Sequence, residues 1–172
     1  MSASDETLTT ALIVDHYIDS RAALRAYFGN PHADPVRFTG ASPADVARDL
    51  HERLAELELS QSLILLAAIE ASFRIDFEKR CAGRKRAKLA KTFRQIRKTR
   101  GERIRLEEDI LETWKAEGSL SRALIGDIKG ALKLRHWLAH GRYWTAKLGR
   151  KYDFDSLVAL AEALDESDLL LS

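Results

Sequence analysis

Leu63-Ile64-Leu65-Leu66-Ala67-Ala68-Ile69 constrains this chain more than any other segment. A helix that is apolar on nearly every side is stable only when other elements cover it, so this stretch predicts a buried central helix. The chain around it has only three prolines and nine glycines, and its apolar residues recur mostly at helical spacing. The expected fold is all-α: a compact antiparallel bundle of about five to six helices.

The remaining elements follow from periodicity and punctuation. Leu8 to Phe28 reads as a first helix, with Leu12, Ile13, His16, Tyr17, Ala23, Leu24 and Tyr27 near one face, and Gly29-Asn30-Pro31 stops it. Pro31 to Ala41 reads as a loop with a short extended piece at Val36-Arg37-Phe38. Ser42-Pro43-Ala44-Asp45 is a helix start, since serine caps, proline fits the first turn and aspartate faces the positive terminus. That helix runs to about Leu57, and Leu59 to Arg80 continues or restarts it with Ser60 as an available cap. Leu89, Phe93 and Ile96 give the next segment a narrow apolar stripe. Arg105 to Ala116 is expected as a helix with Ile110, Leu111 and Trp114 inward and Glu107, Glu108 and Asp109 outward. Gly118 separates it from a helix over Leu120 to Leu138. A last helix over Ser156 to Leu164 takes Asp155 as its cap. One domain over 1–172 is expected, with 1–41 as an N-terminal helix and loop and 42–164 as the core bundle.

Charge is distributed unevenly. From Lys79 to Arg105 there are 13 Lys or Arg and one acid, Glu102, whereas the rest of the chain holds 15 basic and 25 acidic residues. A cationic segment of that density points to a polyanion partner, and nucleic acid is the expected one, held by Arg84, Lys85, Arg86, Lys88, Lys91, Arg94, Arg97, Lys98 and Arg100. A solvated face balancing an acidic body is the plainer reading. The N-terminus lacks a basic stretch followed by an apolar one, and no run of 18 or more uncharged apolar residues occurs, so a cytoplasmic protein without a membrane partner is expected. The single cysteine, Cys81, precludes an internal disulfide and is expected to be buried or half-buried; its cationic neighbours could lower its pKa.

The densest chemistry lies in Arg135-His136-Trp137-Leu138-Ala139-His140-Gly141. Gly141 is where the preceding helix would end, which puts His140 in the last turn, where the partial negative charge of the terminus favours a cation. Arg135 stands one and a half turns earlier. A permanent cation beside a titratable imidazole suits phosphate chemistry, one group holding the anion and the other moving a proton. A helix cap with an arginine stacked on Trp137 accounts for the same residues without function. His136 and His140 share the i, i+4 spacing of a helical zinc site, but no third ligand is evident and Arg135 disfavours a dication. No Gly-x-Ser-x-Gly turn and no Gly-rich phosphate loop occurs, and nothing in the chain calls for a cofactor or metal. On the central helix, Glu70 and Arg74 are spaced to pair, with Asp76 or Arg80 available to join. Glu70 either makes that structural ion pair or reaches Arg135 and His140 and orients one of them.

An all-helical domain with Arg135, four residues and then His140 at the end of a late helix resembles the HEPN superfamily, whose motif is Arg, four to six residues, then His. His136 occupies the position where that family often has a polar residue. The run from Leu132 through Arg135, His140, Gly141, Arg142 and Tyr143 to Trp144 is similar to a bacterial HEPN branch of small proteins, and the resemblance extends from about Ser42 to Leu164. It implies a metal-independent endoribonuclease, a toxin or antiviral-defence effector, working as a homodimer with its cleft at the dimer seam. Arg135 would stabilise phosphorane charge, His140 would transfer protons, and His136 would be a second proton carrier or RNA contact. Arg142 would join the RNA-binding residues. HEPN toxins with a nucleotidyltransferase antitoxin carry a tyrosine two residues after the histidine. Arg142 stands there instead, with Tyr143 one further on, so the resemblance does not extend to that partner, although some antitoxin or defence-system protein is implied. The alternative is a non-catalytic HEPN module that binds nucleic acid or nucleotide, or serves only for dimerisation.

Overall fold

The computed structural model describes residues 8–84, 86–145, 148–149 and 152–171. Among these there are seven α-helices and no strand. They are α1 (Thr10–Gly29), α2 (Pro35–Phe38), α3 (Pro43–Ala82), α4 (Lys88–Arg100), α5 (Glu112–Glu117), α6 (Arg122–Ala139) and α7 (Phe154–Glu166). A 3₁₀ turn, Pro31–Ala33, precedes α2, and a π-helical turn, Leu106–Leu111, leads into α5.

Helix α3 organises the rest. It runs unbroken for 40 residues, roughly 60 Å at 1.5 Å per residue. Its start is the expected one: the Ser42 hydroxyl accepts from the Asp45 amide at 3.2 Å, and the Ser42 amide donates to the Asp45 carboxylate at 3.1 Å. The restart considered near Leu59 does not occur. Ser60 instead donates its hydroxyl proton to the Glu56 carbonyl (2.8 Å), which satisfies the serine inside a continuous helix.

Helices α1, α4, α6 and α7 and the π-helical turn all pack on α3. The shared core draws Leu65, Leu66, Ile69, Phe73 and Phe77 from α3, Ile13 and Tyr17 from α1, and Leu89 and Phe93 from α4. Trp114, Ile125, Ile128 and Leu157 complete its centre. The rings of Tyr17 and Phe154 meet at 4.2 Å and those of Phe77 and Phe93 at 4.9 Å. The expectation of a helix buried all round needs correction. Leu65, Leu66 and Ile69 are buried, but Ile64 is 37% exposed and Ala67 lies at the surface. The neighbours cover one side of α3 and leave a strip of the other bare.

Three local readings also change. Val36–Phe38 is helical rather than extended, because Asp34 accepts from the Arg37 amide (3.2 Å) and Pro35 occupies the first turn. Helix α7 is capped by Asp153, not Asp155: the Asp153 carboxylate accepts from the Ser156 amide at 2.9 Å, which brings Phe154 into the core. The Arg105–Ala116 helix begins as a π-helical turn, and the Glu112 amide reaches the Glu107 carbonyl five residues back. That turn rotates Asp109 inward, where it is 7% exposed, accepts from the Arg105 amide at 2.8 Å and lies 3.5 Å from Arg100 Nε. Asp109 was expected to face outward; hydrogen bonding across five residues instead of four winds the turn more widely than 3.6 residues per turn and moves it.

Candidate functional site

Helix α6 starts at Ser121, whose hydroxyl accepts from the Leu124 amide at 3.0 Å, and ends at His140. Its end is a Schellman closure: the Arg142 amide donates to the Trp137 carbonyl (3.2 Å) and the Gly141 amide to the Leu138 carbonyl (3.3 Å). The turn requires Gly141 at φ 77°, and Arg142 follows at φ 58°. Arg142 is then fixed by a two-pronged pair with Glu56 of α3, at 2.8 and 3.1 Å. The Trp137 indole donates to the Trp144 carbonyl at 2.7 Å. These contacts fold the segment after α6 back over the helix end.

The fold-back closes one side of an open cleft of about 680 Å³. Arg135, His136, Trp137 and Lys133 line it from α6, Glu70 and Arg74 from α3, Arg105, Glu107 and Glu108 from the start of the π-helical turn, and Trp144 from the fold-back. Glu70 makes both of the contacts its spacing allowed. Its Oε1 accepts from Arg74 Nε at 2.8 Å, while its Oε2 lies 3.1 Å from Arg135 Nε. The Arg135 Nε–H is buried but off the line of a hydrogen bond, so this second contact is Coulombic attraction that holds the guanidinium in place. Arg135 itself is half-buried.

His136 and His140 are exposed and their ring centres are 4.3 Å apart. Trp144 stands 5.8 Å from the first and 6.4 Å from the second. Arg135 and His136 share the cleft lining, whereas His140 sits beside it, reached through the His136 ring. Among the described residues, no group of three or more His, Cys, Asp or Glu is placed to hold a metal ion.

No family model, curated protein or solved structure matches this chain.

The basic segment divides into two populations. Arg94 donates to the carbonyls of Arg80 (3.2 Å) and Gly83 (2.9 Å) and so closes the end of α3. Arg97 pairs with Glu78 and lies 5.2 Å over the Phe77 ring, and Arg100 faces Asp109. These three are spent on holding α4 to the body. Arg84, Arg86, Lys88, Lys91 and Lys98 are exposed, and Lys88, Lys91 and Lys98 recur on the outer face of α4 at spacings of three and seven. Lys88 has a loose pair with Glu117 at 3.6 Å. Lys85 lies outside the described residues.

Two sites turn out differently from the sequence reading. Burial pushes the Cys81 thiol above its ordinary value, against the pull of Arg97 and Arg94, so the cationic neighbourhood does not activate it. Asp76, named only as an available partner, is fully buried. It accepts from Arg80 Nε (2.7 and 2.9 Å), the Trp114 indole (3.1 Å) and the Leu171 amide (2.9 Å). Arg80 in turn donates to the Leu169 carbonyl at 2.6 Å and stacks 4.9 Å over Trp114. The i, i+4 spacing of Asp76 and Arg80 was visible in the sequence; their burial by the C-terminal tail depends on tertiary packing alone.

Proposed function

We propose that this chain is a metal-independent endoribonuclease of the HEPN type, acting as a homodimer in RNA-targeting defence or as a toxin. The observation that carries the reading is Arg135, held by Glu70 in a solvent-open cleft beside His136, with the His140 ring 4.3 Å beyond. RNA cleavage without metal needs a base to take the 2′-hydroxyl proton, an acid to protonate the leaving 5′-oxygen, and a fixed cation for the phosphorane. Arg135 is the cation. The two imidazoles supply the proton carriers, His140 as the principal one and His136 as the second. The attacking 2′-oxygen forms a bond to phosphorus as the bond to the 5′-oxygen breaks, leaving 2′,3′-cyclic phosphate and 5′-hydroxyl ends. In a dimer with the α6 ends together, each cleft would face a second motif across the seam.

Purified protein should cut single-stranded RNA in EDTA and leave cyclic phosphate ends. Arg135→Ala and His140→Ala proteins with unchanged circular dichroism should lose that cleavage by at least about a hundred-fold. Intact tRNA, mRNA and rRNA between about pH 5 and pH 9 would overturn the catalytic reading.

The position of His140 beside the cleft rather than in its lining favours a second reading, a module that binds RNA without cutting it. In that case the exposed face of α4 carries the affinity. Neutralising Lys91 and Lys98 to glutamine would reduce the slope of log affinity against log salt by about one to two, and His140→Ala would leave binding intact.

A further inference from the structure

We propose that Trp144, with the His136 and His140 rings beside it, is a stacking platform for one unpaired RNA base whose neighbouring phosphate lies against Arg135. The inference rests on the reading that the cleft takes RNA, and adds which part of the nucleotide each side holds.

Three rings converge at centre distances of 4.3, 5.8 and 6.4 Å, with interplanar angles of 55°, 50° and 41°. None of these pairs is parallel, so no ring lies flat against another. Tyr143 meets Trp144 at 4.6 Å and 77°, an edge contact, while remaining 83% exposed. A self-contained aromatic cluster would bury its faces; this one borders a cleft.

The platform is also held before any ligand arrives. The Trp137 indole grips the Trp144 carbonyl, the Schellman closure fixes the path through Gly141 and Arg142, and Glu56 anchors Arg142. An ordering cost that other ligand sites bear on binding is thus already met within the fold. The same cleft carries four cations, Arg74, Arg105, Lys133 and Arg135, against the carboxylates of Glu70, Glu107 and Glu108. Glu70 is engaged by two of those cations and Glu108 lies 3.7 Å from Arg105. A ligand offering a π-face next to an anion fits such a wall. Single-stranded RNA does so at every nucleotide, whereas the bases of a duplex are already stacked.

The test compares a 2′-fluoro single-stranded oligonucleotide, which lacks the attacking hydroxyl, with an abasic oligomer of equal length and charge. Wild-type protein should bind the base-bearing strand about ten-fold more tightly, with quenching of tryptophan fluorescence; Trp114 is 2% exposed and should contribute little to it. Trp144→Leu should remove most of that advantage, and Trp144→Phe should retain it while losing the part of the quenching that Trp144 contributes, the half-buried Trp137 on the same cleft wall supplying the rest. Equal binding of the two strands by wild type would overturn the platform and leave the polyanion reading standing. Binding of neither strand would overturn both. An advantage that persists in Trp144→Leu would place base recognition elsewhere and overturn the platform. The base-bearing and abasic comparison on wild type requires no variant to fold.

Discussion

At the scale of single residues, similar charges have different fates according to what lies next to them. Glu70 holds Arg74 through one carboxylate oxygen and Arg135 through the other, so one half-buried acid serves both the surface of α3 and the wall of the cleft. Cys81 shows the opposite outcome. It lies between Arg80 and the Arg84–Arg86 stretch in sequence, yet the nearby Arg97 is matched by Glu78 and the thiol is half-buried. Burial therefore outweighs cationic attraction, and the thiolate is the disfavoured form. Iodoacetamide at pH 7.5 should alkylate Cys81 several-fold more slowly than free cysteine, because only the thiolate reacts. Modification as fast as that of free cysteine, on protein verified as folded, would contradict this.

At the scale of elements, the joins between helices carry constraints that periodicity does not express. Gly118 ends α5, and a Cβ there would stand 2.1 Å from Trp114 Cε3 and 2.6 Å from the Trp114 carbonyl oxygen. The indole is locked in the core and the carbonyl belongs to the helix, so neither can yield cheaply. Gly118→Ala should cost about 1–3 kcal/mol, read as a lower urea midpoint at unchanged slope; an unchanged midpoint would show that the α5–α6 link gives way freely. In the sequence Gly118 was visible only as a separator. Much else about the elements was legible. The Ser42 start, the helix ending at His140 and the outward lysines of α4 follow from local chemistry, which acts within one or two turns. The unbroken length of α3 was not decided, since Ser60 suits both a cap and a helix interior. The inward turn of Asp109 was hidden as well, because apolar spacing assumes 3.6 residues per turn and the π-helical turn does not keep it. In the candidate site, the motif residues could be named from sequence, whereas the Trp144 fold-back depends on Glu56, which lies 86 residues before its partner Arg142 in the chain.

At the scale of the whole molecule, Asp76 joins parts of the fold that are far apart in the chain. Its carboxylate gathers α3 through Arg80, α5 through Trp114 and the C-terminal tail through Leu171. Two influences oppose each other there. Burial pushes the carboxyl above its ordinary value of 3.8, and the Leu171 amide, Arg80 and Trp114 pull it down, with burial the larger. A carboxyl with a raised folded value binds its proton more readily folded than unfolded. Its contribution is therefore most favourable below the unfolded value and declines as pH rises through the folded one. Asp34, Asp45 and Glu112 are shifted downward and act in the opposite sense, so the slope of the wild type alone is not diagnostic. The comparison with Asp76→Asn isolates the group. Asparagine keeps the shape but sets an amide NH2 where Asp76 accepts from N–H donors, and the variant should be less stable by about 1–3 kcal/mol. That deficit, measured by urea unfolding, should be widest near pH 4 and narrow towards pH 7, because only the wild type carries the titrating carboxyl. A deficit that widens with pH would mean that the donors outweigh burial, and that the tail is held chiefly by the charge of Asp76 rather than in spite of it.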